Sequence, residues 1–359
     1  MSGHADRLAR REFLKRTAHA AAVASIAGAA SGGAPKDKKI TLADTIPARA
    51  LGKTGEKLPI LGYGGAGLPK KWGNPLPLED RVKLVRYAYD SGIRYYDTSI
   101  SYTYSESQAI IGKALKDVRD NVFITTKVDF WNTARPDGRI EKVSKGEAVR
   151  QVKMSLRESQ SDYIDAILIH GTPGVEQMTV EQCMEVQAEL VKAREEGLVR
   201  FVGFSAHGYF DKALALIETG GFDLCMLSYG YIPRGHNQIF SARTTALRDA
   251  CIAKAHARGM GVVAMKVVGG GVLGAWSGHI VPDFEKERLK KLPAAAIRYV
   301  LQDKRVDMLT IGMRLKHEID ANIRTVAGDA ALTTNDRAVL AEFGAQALAS
   351  DAMRRMKVE

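Results

Sequence analysis

The strongest constraint on the fold is an alternation that runs through most of the chain. A short apolar run is followed by a longer amphipathic one, eight times over. Runs starting at Ile60, Arg94, Val122, Ile164, Val199, Leu224, Val262 and Met308 read as strands. Apolar residues at helical spacing predict helices at Glu79–Ser91, Gln108–Lys116, Glu147–Ser159 and Val180–Glu196. Further helices are predicted at Tyr209–Glu218, Ala242–Arg258, Ala294–Leu301 and Lys316–Val326. Each strand precedes a helix, which is the order of a (β/α)8 or TIM barrel, an α/β fold. A length of 359 residues with 45% hydrophobic content suits one large barrel or two ordinary domains. No solenoid repeat is evident.

The stretch Gly92–Leu115, GIRYYDTSISYTYSESQAIIGKAL, is the centre of the chain. Ile93 to Tyr96 reads as a strand and Ser107–Leu115 as a helix. The polar loop between them carries Asp97 and Tyr102. A carboxylate at the carboxyl end of a strand, followed by a phenol on the loop, is where a barrel of this kind places its chemistry.

The string DTxxxYxxSE formed by Asp97 to Glu106 resembles the signature of the aldo-keto reductases, and the resemblance spans roughly residues 48 to 326. It implies an N-terminal β-hairpin within Arg49–Gly67, with its tip at Gly52 to Gly55, closing the barrel floor. The glycines there do not make GxGxxG before a helix, so a Rossmann reading is weak. The expected division is a leader over 1–34, a linker over 35–46, a barrel over 47–330 and a C-terminal helix with a basic tail over 331–359. That tail holds Arg354, Arg355 and Lys357.

Four polar residues stand at or just past successive strand ends: Asp97 and Tyr102, then Lys127, then His170. The resemblance implies that they form a catalytic tetrad. Hydride reduction of a carbonyl puts negative charge on oxygen, which must receive a proton. Tyr102 can give it, although an unperturbed phenol near pKa 10 is a poor acid at neutral pH. A nearby Lys127 ammonium is expected to lower that value. Asp97 would pair with Lys127, and His170 would donate to the carbonyl oxygen. Singly, each has a plain structural reading: a turn aspartate, a packing aromatic, a solvated lysine, a core histidine.

The resemblance also implies a nicotinamide dinucleotide across the barrel mouth. Ser205 matches the family's serine beside the carboxamide, but Ala206 replaces the usual asparagine and Met226 the usual glutamine. Lys266 stands where an aromatic usually stacks on the nicotinamide. Gly312, Arg314 and Asn322 resemble the adenosine-phosphate site. A helix starting near Lys316 would add its dipole there. Arg314 facing a 2′-phosphate favours NADP(H) over NAD(H). Gly269, Gly270 and Gly271 form a loop over the mouth that would cover the pyrophosphate or simply turn the chain. Trp72, Trp131 and Trp276, in loops after strands one, three and seven, would line a substrate pocket or pack internally.

Cysteines 183, 225 and 251 share no CxxC spacing, which argues against an iron–sulfur cluster, a zinc site or a disulfide framework. The formal charge of +11 is diffuse, without a dense basic run beside aromatics, and so gives no nucleic-acid signal. Residues 1–34 hold five Lys/Arg against two Asp/Glu, so the remainder carries +8. Arg10-Arg11-Glu12-Phe13-Leu14-Lys15, an apolar run Ala18–Ala30 and small residues up to Ala34 resemble a twin-arginine (Tat) signal. The apolar run is too short to span a bilayer. The expected protein is a periplasmic oxidoreductase acting on a small-molecule carbonyl or alcohol, cytoplasmic if the signal is unused. The rivals are a binding protein on the same barrel and an isomerase or lyase with Tyr102 as base.

Overall fold

The computed structural model describes residues 40–43, 46–130, 140 and 142–359. The leader 1–34, linker residues 35–39 and 44–45, and Trp131 lie outside the described residues. The chain opens with an antiparallel hairpin, β1 (Ala48–Ala50) and β2 (Lys57–Pro59), turned through Gly52 and Gly55, whose φ values are 51° and 81°. Only glycine adopts such angles without strain.

Eight parallel strands follow and close on themselves. They are β3 (Leu61–Gly64), β4 (Tyr95–Asp97), β5 (Phe123–Val128), β6 (Ile164–Ile169), β7 (Val199–Ala206) and β8 (Leu224–Ser228). After β9 (Gln238–Ile239), which lies outside the barrel, come β10 (Gly261–Met265) and β11 (Met308–Ile311). Neighbours in sequence are neighbours in the ring, β11 pairs with β3, and β8 pairs with β10. All eight strands expected from the sequence are present.

Helices α1 (Leu78–Asp90), α2 (Glu106–Leu115), α3 (Glu147–Glu158), α4 (Val180–Glu195), α5 (Phe210–Thr219) and α6 (Ala242–Arg258) alternate with the strands. Two short turns, α7 (Ser277–Ile280) and α8 (Lys286–Leu289), lead to α9 (Leu292–Leu301) and α10 (Lys316–Ala327). Helices α11 (Thr334–Ala349) and α12 (Asp351–Arg354) close the chain. The basic tail does not simply run off into solvent. Its last strand, β12 (Lys357–Val358), pairs with β9 in parallel, and Glu359 accepts from the Tyr209 amide and from Gln238 Nε2.

The barrel interior changes character along its axis. Successive side chains on a strand point to opposite faces, so inward residues recur every second position. Near the floor these are Tyr95, Phe123, Ala166, Leu168, Leu224, Met226, Val263 and Met308, packed against Leu51 and Leu58 of the hairpin. One step nearer the mouth, on the same faces, stand Asp97, Lys127, His170, Ser205, Ser228 and Thr310, all buried. The apolar plug therefore carries a polar ring above it. At the opposite end, Arg200 is paired with Glu56 and, at 2.9 Å, with Asp165, tying the hairpin to β6 and β7.

Gly112 sits in α2 against the backbone of Ser159, and a Cβ there would lie 2.1 Å from the Ser159 carbonyl oxygen. Alanine normally stabilises a helix interior by roughly 0.5–1 kcal/mol relative to glycine. Here the sign reverses. Gly112→Ala is expected to lower the unfolding free energy by about 1–3 kcal/mol through overpacking, read from the urea midpoint. A neutral or stabilising result would contradict this packing.

Candidate active site

Asp97, Lys127 and His170 reach the mouth because each stands at or within one residue of a strand end with its side chain on the inward face. Lys127 Nζ donates to an Asp97 carboxylate oxygen and, at 2.7 Å, to the Thr98 carbonyl. Both side chains are almost fully buried. Burial pushes the Asp97 carboxyl up and the Lys127 ammonium down, and each partner pulls the other back towards its charged form. Lys127 Nζ also lies 3.2 Å from the Tyr102 hydroxyl and 4.9 Å from its ring centre.

The loop that carries Tyr102 is held from several sides. Thr103, Tyr104 and Ser105 have φ of 44°, 57° and 68°, a left-handed run that non-glycine residues adopt at a cost. Arg81, buried in α1, donates to Glu106 at 2.5 Å and to the Leu68 carbonyl at 2.8 Å. Thr98 Oγ1 donates to Ser107 Oγ, which donates on to the Gly65 carbonyl. Thr103 Oγ1 bonds Glu106 at 2.9 Å. The Ser-Glu that ends the sequence signature is thus the loop's anchor. It fixes the phenol without touching it.

One expectation is corrected. The Lys127 charge does not leave the Tyr102 pKa lowered, because the net shift is upward. Burial raises it well above 10, and the Asp97 carboxylate adds to the rise, because the ammonium is already committed to Asp97. Tyr102 is therefore a neutral proton donor, with Trp72 edge-on to its ring at 5.4 Å. His170 is neutral too, held well below 6.5 by burial and then by the charge of Lys127. Its Nδ1 lies 3.3 Å from Ser101 Oγ, which in turn contacts Ser99 Oγ at 2.9 Å.

The residues expected to hold a nicotinamide dinucleotide fit it unevenly. At the phosphate end Gly312 is exposed beside Gly64 and Gly67, so bare backbone faces outward next to half-buried Arg314, whose Nη1 lies 3.3 Å from the Gly73 carbonyl. Asn322 is buried on α10. The start of α10 is not an open anion site, because Glu318 already accepts from the Arg314 and Leu315 amides. At the other end Ser205 Oγ accepts from the Gly171 amide at 2.8 Å, and Met226 belongs to the apolar plug. Ser228 Oγ and Thr310 Oγ1 are buried in the inward ring without a partner among the described residues. These orphaned hydroxyls and the bare glycines are what a polar ligand lying over the mouth would satisfy.

On the other side of the mouth sequence reasoning named Ser205 and Lys266 but missed their neighbours. His207, one step past β7, has its ring tilted against those of His170 and His236, with centroids 6.1 Å and 5.9 Å away. Its strand-end position was the available signal. Arg234, His236 and Glu176 lie in loops that no periodicity marks. Lys266 is half-buried at φ 58°, its ammonium pushed down to about 8 by burial and by Arg234. Trp276 is half exposed and packs on Gly271. Two cavities, of about 210 Å³ beside Lys53 and Arg258 and about 300 Å³ beside Lys142 and Glu189, lie away from the tetrad. No group of His, Cys, Asp or Glu among the described residues is arranged to hold a metal ion.

Glu176, hydrogen-bonded to Thr172, has its carboxyl pushed up by burial from 4.5 to about 7. The folded state therefore holds a proton more tightly than the unfolded state, and stability falls as pH rises from 4.5 to 7. Glu176→Gln is expected to remove that fall, on the order of 3 kcal/mol. Urea midpoints at pH 4.5 and 7 check it; equal slopes for both proteins would rule it out.

The aldo/keto reductase family model matches residues 60–343. L-galactose dehydrogenase of Arabidopsis thaliana is 27% identical over 301 residues, 78% of this chain and 88% of that protein. Methylglyoxal reductase of Escherichia coli O157:H7 is 32% identical over 127 residues, 34% of this chain and 42% of that protein. Among solved structures, an aldo-keto reductase from Bacillus halodurans in its holo form superposes with a TM-score of 0.63. It is 21% identical and covers 83% of this chain and 96% of that one. With this match over most of the barrel, the chain belongs to the aldo/keto reductase family of oxidoreductases.

Proposed function

We propose that the protein reduces an aldehyde or ketone, or oxidises the corresponding alcohol, with NADP(H), and that Tyr102 is the general acid and base. The observation that carries this is the Asp97–Lys127–Tyr102 contact chain beside a neutral His170. When bound, the nicotinamide supplies the hydride to the carbonyl carbon. Tyr102, kept neutral by burial, gives its hydroxyl proton to the carbonyl oxygen. Lys127 at 3.2 Å stabilises the phenolate left behind. Asp97 and the Thr98 carbonyl hold the ammonium in place. With Ser101 donating to Nδ1, His170 carries its proton on Nε2 and can donate to the same oxygen, fixing its angle. In the oxidising direction the alcohol's hydroxyl proton would return to the Tyr102 phenolate, and the His170 hydrogen bond stays in place.

Arg314 beside the bare backbone of Gly312 supports NADP(H) over NAD(H). Glu318 opposes an anion at the start of α10 and must yield its two amides for a phosphate to use them. Tyr102→Phe is expected to lower kcat for NADPH-dependent reduction by about 10²–10⁴-fold while leaving NADPH affinity within a few-fold. NADPH oxidation and fluorescence titration measure the two. A binding module or an isomerase would consume no NADPH with any carbonyl, and that outcome would sink the reading.

The order Arg10-Arg11-Glu12-Phe13-Leu14-Lys15, apolar run and small residues also supports Tat export to the periplasm. Residues 1–34 fused to a reporter should direct it there, and Arg10→Lys with Arg11→Lys should keep it in the cytoplasm. Retention of the unaltered fusion in the cytoplasm would refute export.

A further inference from the structure

Lys266 is an unexpected residue for its position. It follows β10 directly at the mouth, in a left-handed backbone conformation that favours glycine. Its side chain is half-buried, and it forms no hydrogen bond or ion pair among the described residues. The loop after β8 is pressed between Lys266 and His207. A Cβ on Gly230 would lie 2.6 Å from the Lys266 carbonyl oxygen, and one on Gly235 would lie 2.1 Å from that of His207. Between those two glycines Arg234 donates to the Gly269 carbonyl at 3.3 Å and to the His236 carbonyl at 3.0 Å. Its Nε is buried without a partner. His207 is 9% exposed, and its Nδ1 is likewise buried and unpartnered.

Two cationic side chains thus gather around the His207 imidazole, which lies beside His170 and has an orphaned Nδ1, and the acidic groups nearby offset them only in part. Asp97 is committed to Lys127. The Glu359 carboxylate is taken up by the Tyr209 amide and Gln238. Glu176 bonds Thr172 and, with its carboxyl pushed up to about 7, is about half neutral at neutral pH. Lys266, at about 8, remains largely charged there.

We propose that Lys266, Arg234 and His207 form an anion-accepting subsite beside His170, and that the carbonyl substrate carries a carboxylate which binds there. This rests on the carbonyl oxidoreductase reading above. The dinucleotide's phosphates share this chemistry. The substrate is the better occupant because His207 adjoins His170, which in turn adjoins Tyr102. Arg314 and Gly312 follow β11, the strand beside β10, and leave the His207 side of the subsite to another ligand. A buried cation without a partner is costly, and an acid substrate would supply the missing charge.

The test compares 4-carboxybenzaldehyde with its methyl ester, using NADPH, for the wild type, Lys266→Met and Lys266→Arg. A charge-assisted hydrogen bond corresponds to about 10–100-fold in affinity. The wild type should prefer the acid by about tenfold or more in kcat/KM. Lys266→Met should collapse that ratio through KM, and Lys266→Arg should keep most of it. An acid-to-ester ratio that is the same in wild type and Lys266→Met overturns the proposal. So does an unchanged ratio accompanied by more than about tenfold weaker NADPH binding, which assigns the subsite to the cofactor. If the wild type consumes neither aldehyde, the redox reading fails on its own. The subsite is then decided by calorimetry on the cofactor-free proteins: acid bound by wild type and lost in Lys266→Met supports it, and no preference over the ester overturns it.

Discussion

The rest of the site depends on one buried ion pair. Lys127 and Asp97 meet at the top of an apolar plug, on adjacent strands, where almost no solvent reaches either side chain. Such a pair contributes little net stability, because the desolvation of both charges offsets their attraction. What it does here is commit the ammonium. With Asp97 and the Thr98 carbonyl as acceptors, Lys127 is fixed in position and lacks the spare charge to ionise Tyr102 in advance. The phenol therefore keeps its proton.

A fixed ammonium is useful only if the phenol is fixed against it. That second constraint is met by the strained loop from Thr103 to Ser105, whose cost is offset by anchors outside the mouth. Arg81 reaches from α1 to Glu106, and Ser107 reaches to Gly65. The residues that make the sequence signature recognisable therefore divide into two sets. Asp97 and Tyr102 meet Lys127, while Thr98 and Glu106 hold the loop, Thr98 through Ser107 just beyond the signature.

The two sides of the mouth are built on different principles. From β4 to β6 Asp97, Lys127 and His170 are paired or hydrogen-bonded, although Tyr95 Oη and Thr125 Oγ1 beneath them have no partner among the described residues. From β7 to β10 they are poorly satisfied: among the described residues His207 Nδ1, Ser228 Oγ and Arg234 Nε lack partners, and Lys266 forms no ion pair, with Glu176 the one acidic charge acting on it. This is also where the chain departs from its family pattern, at Ala206, Met226 and Lys266. Met226 is explained by its place in the apolar plug. Lys266 is not explained by packing, and its surroundings read as a site awaiting an anion.

The eight-fold alternation of strands and helices was legible in the sequence because burial imposes a period, and a period survives in one dimension. The grouping of Asp97, Lys127 and His170 was legible for a related reason: strand ends are found by counting, and these three stand at or within one residue of the ends of β4, β5 and β6. Direction and strength of interaction were not legible. The sign of the Tyr102 shift depended on whether burial or the ammonium dominated, and only the Asp97 contact decides that. Glu318 at the start of α10 looked like any helical glutamate until its carboxylate was seen on two backbone amides. The group of His207, Arg234, His236 and Lys266 spans sixty residues of sequence, and the tail strand Lys357–Val358 finds its partner more than a hundred residues upstream. Local patterning fixes which residues face inward. Closure of the barrel, and the packing of loops that have no period of their own, decides which of them meet.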